Sequence, residues 1–142
     1  MEPTAQSAQF ASKCEVYLQA LHSFTELLAV DLSPFDAIIV DGLKNGLAKK
    51  FEYTAELAWN IVRRFLLLHG GVETNSPKSA IREFHLAGHI SESDCESLMA
   101  MMDDRNRLLR LNRADELQAI IDRLPHYAAL MGNVGKILEE TP

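Results

Sequence analysis

The densest charged stretch of the 142-residue chain is Asp103-Asp104-Arg105-Asn106-Arg107, followed by Arg110 and Arg113. Four arginines therefore fall between positions 105 and 113 of a protein whose formal net charge is −6. Arginine presents a planar fork of donors that matches phosphate and carboxylate oxygens. Cations near a helix C-terminus also complement the helix dipole, so the cluster has both a binding and a structural explanation. Helical spacing would put Asn106 and Arg110 on one face, with Arg105 one step round. Glu52 and Glu56 lie four apart, with Trp59 three further on. Such a ridge could hydrogen-bond and stack a ligand base, or it could be a solvated acidic edge with Trp59 in the core.

Other chemistry is poorly supported. His85 and His89 have a four-residue spacing that can bring two imidazoles together, but Gly88 falls between them and no full ligand set accompanies them. They read as ordinary surface or partly buried histidines. Cys14 and Cys95 form no metal motif or disulfide framework and read as small core residues. Neither a phosphate-binding glycine loop after a strand nor a Gly-x-Ser-x-Gly elbow is present. No metal site or cofactor is expected in this chain.

The elements that must position these residues are helical. Apolar positions Phe10, Cys14, Tyr17, Leu18, Leu21, Phe24, Leu27 and Leu28 recur at helical spacing over about 6–29. Ser33-Pro34 with Asp36 predicts the start of a second helix, running to about His69. Its stripe is Leu43, Leu47, Phe51, Thr54, Ala58, Ile61, Phe65 and Leu68. Gly42 and Gly46 would kink its early turns or admit a close neighbour. Gly70-Gly71 ends it.

Ser76-Pro77 predicts a short third helix, stopped at Gly88. Ser91-Glu92-Ser93-Asp94 predicts the start of a fourth, to about Arg110 or Leu111. Asn112 with Asp115 predicts a fifth, in which Pro125 would kink or divide the pattern of Leu117, Ile120, Ile121, Leu124, Ala128, Met131 and Leu138. The expected fold is all-α: an antiparallel up-and-down four-helix bundle with a short extra connecting helix. It forms a single domain over 1–142, with its core at about 6–139.

Composition narrows the function classes. Hydrophobic residues make up 47% and charged residues 24%, which suits a globular core. The acidic balance argues against general nucleic-acid or anionic-membrane binding. The apolar runs Ala37–Val40 and Phe65–Leu68 are far shorter than a membrane span, and no cleavable apolar N-terminus is evident. The cytoplasm is the expected location, with both thiols reduced.

Several segments also resemble a known family. Residues 44–59, Lys-Asn-Gly-Leu-Ala-Lys-Lys-Phe-Glu-Tyr-Thr-Ala-Glu-Leu-Ala-Trp, look like a signature segment of the nucleotidyltransferase substrate-binding family. Ser76-Pro77-Lys78-Ser79-Ala80-Ile81-Arg82-Glu83, Gly88-His89-Ile90 and Met101-Met102-Asp103-Asp104-Arg105-Asn106 resemble further segments in the same order. The resemblance spans about residues 10–139.

It implies membership of the HEPN superfamily, a homodimer, and a separately encoded minimal nucleotidyltransferase as partner. That partner, not this chain, would bring nucleotide and magnesium. Many such pairs behave as toxin–antitoxin modules with a ribonuclease HEPN protein. The family pattern continues Arg-Asn-x-x-x-His-x-Tyr, whereas here Arg110 takes the histidine position and Asn112 the tyrosine position. The catalytic histidine role is therefore lost.

The expected function is a non-catalytic subunit that binds a nucleotide or other small anionic substrate. Arg105 and Arg110 would hold anionic groups, Asn106 would orient them, and Glu52, Glu56 and Trp59 would lie along the same groove. The rival readings are a HEPN ribonuclease with an altered active site and a purely structural dimerisation bundle.

Overall fold

A computed structural model describes residues 4–110 and 114–141. Among these the chain is all-helical: α1 Ala5–Leu28, α2 Ala37–Gly70, α3 Pro77–Leu86, α4 Glu92–Leu108 and α5 Ala114–Glu140. Each start that can be seen in full has a side-chain cap. Thr4, Asp36, Ser76 and Ser91 accept the backbone N–H of Ser7, Ile39, Ser79 and Asp94 respectively. These bonds satisfy donors that an open helix end leaves unpaired.

The second helix begins three residues later than its Ser33-Pro34 signature predicts. Asp31 captures Ser33 instead, accepting both its backbone N–H and its hydroxyl at 3.0 Å. This local turn competes with helix initiation, and Asp36 becomes the cap. The turn's hydrogen bonds, first that from the Ser33 backbone N–H, hold the exposed Asp31 carboxyl below its ordinary pKa. Gly71 and Gly88 adopt φ of +66° and +87°, the left-handed conformation that closes α2 and the turn after α3. Pro125 does not divide the last helix; α5 runs through it as one element. Asn112, expected at the start of α5, lies outside the described residues, as does Arg113.

α1 packs on α2 and α5, α4 packs on α2 and α5, and α2 also meets α5. Four long helices thus surround one core, with α3 lying against α2 and α4. The predicted α2 stripe is buried at Leu47, Phe51, Thr54, Ala58, Ile61 and Phe65. Neither early glycine is needed for a close approach: a Cβ at Gly46 would stand 3.6 Å from Leu27 Cδ2, an ordinary contact, and one at Gly42 would meet nothing within 4 Å.

Two buried hydroxyls of the core find backbone acceptors. The Tyr17 hydroxyl donates to the Met131 carbonyl at 2.6 Å, tying α1 to α5. The Thr54 hydroxyl returns to the Lys50 carbonyl at 2.7 Å, so its burial leaves it satisfied. Burial raises the Tyr17 pKa well above the ordinary phenol range. No described helix is long and apolar enough to cross a membrane.

Candidate functional site

The C-terminal half of α4 divides its charged residues between two sides. On the side facing α2, the Arg105 guanidinium meets the Glu56 carboxylate at 2.6 Å (Nη2 to Oε2). Glu56 also accepts the Trp59 indole N–H at 2.9 Å and an Asn60 side-chain N–H at 3.2 Å. The groups are close because Glu56, Trp59 and Asn60 sit three and four apart on α2, where helical neighbours face one another. Three of the expected site residues, Arg105, Glu56 and Trp59, are therefore assembled in one polar seam.

Trp59 is only partly buried, between the two readings of an exposed stacking face and a core residue. Its ring packs against the core beside Ala58, Val62 and Leu98. Its N–H must reach a half-exposed carboxylate, and that holds the indole at the core's edge. Glu52 stands one turn earlier on α2 and pairs with Lys49 at 3.6 Å rather than with Arg105. Asn106 is exposed.

Arg110 departs from its expected place. α4 ends at Leu108 and Arg110 lies in the turn that follows, its N–H donating to the Arg107 carbonyl at 2.9 Å. The helical spacing that would have aligned Asn106 with Arg110 is thus broken before it reaches Arg110. Arg110 instead helps line an open cup of about 500 Å³ with Arg107, Arg123, Glu116, Ala119 and Ile120. The expected arginine pair is consequently separated: Arg105 faces Glu56, and Arg110 faces the α4–α5 cup.

Behind the cup lies Asp104, only 1% exposed. Its carboxylate accepts Arg123 Nε at 2.7 Å, Arg123 Nη2 at 2.8 Å, Arg107 Nη1 at 2.7 Å and the Tyr127 hydroxyl at 2.6 Å. The Arg123 pair is bidentate, the strongest form of this contact. Burial works to raise the Asp104 pKa, but the hydrogen bonds from Arg123, Tyr127 and Arg107 outweigh it and hold the carboxyl below its ordinary value. Burial, reinforced by the hydrogen bond to Asp104, pushes the Tyr127 hydroxyl up to about 12. The bond to Asp104 likewise raises the Arg123 pKa, so this guanidinium stays charged.

Sequence reasoning missed Asp104, Arg107, Arg123 and Tyr127 as a unit. Two signals were present. Asp104 follows Met101 by three, in step with the buried Leu98 and Met101, and Arg123 and Tyr127 are four apart on α5.

The histidines do not converge on a ligand site. His85 Nδ1 lies 2.9 Å from the Ile90 carbonyl, and the His89 ring stacks on Phe84 with centroids 5.0 Å apart. Among the described residues, no group of three His, Cys, Asp or Glu side chains is placed to hold a metal. Cys95 is buried and Cys14 packs on the core's edge; burial raises both thiol pKa values, which disfavours the reactive thiolate.

Comparison with known proteins agrees with this architecture. The crystal structure of a Thermus thermophilus protein superposes with a TM-score of 0.76 at 28% identity, covering 85% of this chain and 98% of that one. No curated protein matches. The family model described as "Nucleotidyltransferase substrate binding protein like" matches residues 12–140, nearly the whole chain, and the protein belongs to that family.

Proposed function

We propose that this protein is a non-catalytic substrate-binding subunit that pairs with a separately encoded minimal nucleotidyltransferase. The family match over residues 12–140 is the observation that carries this reading. In it the transferase supplies nucleoside triphosphate and magnesium, and this chain supplies a binding surface for a nucleotide or another small anionic substrate. The bundle is of the HEPN type, antiparallel and up-and-down, and acts as a cytoplasmic homodimer.

The chemistry of the site supports binding over catalysis. General acid–base work needs a group that gains and loses a proton near working pH, as histidine does. A guanidinium has only donors to offer, so Arg110 in the histidine's place can hold or stabilise an anion and nothing more. Arg105 is engaged by Glu56, which suits a role in shaping the α2–α4 seam. The pairing is tested by affinity capture of the tagged protein from its own cells, with mass spectrometry of what is retained. A small nucleotidyltransferase at fixed stoichiometry is the expected result; its absence counts against the reading.

A further inference from the structure

We propose that the α4–α5 cup is a binding site for the phosphate groups of a small phosphorylated molecule, held by Arg107, Arg110 and Arg123. The identity of that molecule as the transferase's substrate rests on the function proposed above. The cup's volume of about 500 Å³ falls in the range of small-molecule sites. Among the described residues its walls carry three guanidinium groups against one carboxylate, that of Glu116, and its lining includes the apolar Ile120. Even with the buried Asp104 counted, the site keeps a positive balance in an acidic protein.

The arrangement is built rather than incidental. Each guanidinium has five N–H donors. Asp104 takes two from Arg123 and one from Arg107, which fixes both planes from behind and leaves further donors on each for a ligand. Preorganised arginines lose less freedom on binding than mobile ones. Arg110 forms no ion pair among the described residues and supplies the least committed charge, on the cup's rim. Glu116 opposes the anion and should weaken its binding. The site differs from the Arg105–Glu56 seam, where the arginine is already neutralised by a carboxylate.

The test uses the intact purified protein and inorganic pyrophosphate, followed by calorimetry, with ADP and single-stranded RNA as further arms. Arg110→Ala and Glu116→Gln are the informative variants, because both side chains are exposed and their loss should leave thermal melting unchanged. Saturable pyrophosphate and ADP binding is expected. It should be weakened about tenfold by Arg110→Ala and tightened by roughly threefold in Glu116→Gln. Absence of saturable binding, binding unchanged by both substitutions, or binding of RNA without pyrophosphate would overturn the proposal. The two readings fail separately. A transferase complex that forms while pyrophosphate does not bind removes the cup alone; pyrophosphate binding without any transferase complex removes the subunit function alone.

Discussion

The Tyr127 hydroxyl donates to the buried Asp104 carboxylate across 2.6 Å, while its ring stacks on Phe51 with centroids 5.6 Å apart. One side chain of α5 therefore fastens the apolar core of α2 to the charged end of α4. Removing Asp104 would leave the Tyr127 hydroxyl and the Arg123 guanidinium without their shared acceptor.

Asp104→Ala should accordingly destabilise the fold by about 2–3 kcal/mol: the buried Tyr127 hydroxyl loses its acceptor, while the half-exposed Arg123 and Arg107 can turn to water. Equilibrium urea unfolding measures it, and a loss below about 1 kcal/mol would show that the network contributes little. The same network sets a pH window. The folded Asp104 pKa is depressed, so its contribution is complete above the ordinary carboxylate range and is lost as pH falls below about 4. The folded Tyr127 pKa is raised to about 12, so stability falls as pH climbs from about 10, where the unfolded phenol ionises. Tyr127→Phe should make the alkaline limb shallower, leaving the share carried by Tyr17, whose buried phenol is also raised.

Trp59 separates packing from hydrogen bonding. Trp59→Ala should cost about 2–4 kcal/mol, toward the lower end of large aromatic truncations because the ring is only partly buried. Trp59→Phe should cost roughly 1 kcal/mol, losing chiefly the bond to Glu56. Thermal denaturation of both variants checks this; equal losses would assign the indole N–H, rather than the ring, as the main contributor.

The extent to which the sequence discloses this arrangement depends on distance along the chain. Ser76 and Ser91 are caps as their local signatures require, and Gly71 and Gly88 stop the chain where left-handed backbone is needed. The apolar stripe of α2 is legible because burial repeats every three or four residues. The start of α2 is ambiguous in the sequence because Asp31 and Asp36 both lie close enough to organise the Ser33-Pro34 segment, and the Asp31 turn wins. The Asp104 network is hidden for another reason. Its partners Arg123 and Tyr127 are 19 and 23 residues away, and an Asp-Asp-Arg run reads locally as a solvated surface. The Glu56–Arg105 pair joins two different helices, so each residue can be singled out but their contact cannot.

Self-association is expected to centre on the turn between α1 and α2. Val30 and Phe35 in that connection and Ile38 and Ile39 in the first turn of α2 are exposed, with Ile38 the most open at 78%. Exposed apolar side chains gathered in one patch are what a self-association surface requires. Light scattering at micromolar concentration should give a dimer, and Ile38→Asp should shift it toward monomer without lowering helicity. A wild-type monomer throughout that range would count against the dimer.

Purified protein should not cleave unstructured RNA. Arg110 cannot shuttle a proton. Neither His85 nor His126 has the sequence spacing of the missing histidine, and His85 Nδ1 lies against the Ile90 carbonyl. Gel analysis of RNA incubated with wild type and Arg105→Ala decides the matter. Cleavage lost in the variant would restore a ribonuclease role.

The central claim, that the chain is the binding partner of a nucleotidyltransferase, is tested most directly by titrating it into the purified minimal nucleotidyltransferase captured from the same cells. Calorimetry should show a saturable isotherm with micromolar or tighter affinity and fixed stoichiometry. No heat of binding, together with separate elution of the two proteins on size exclusion, would contradict the account.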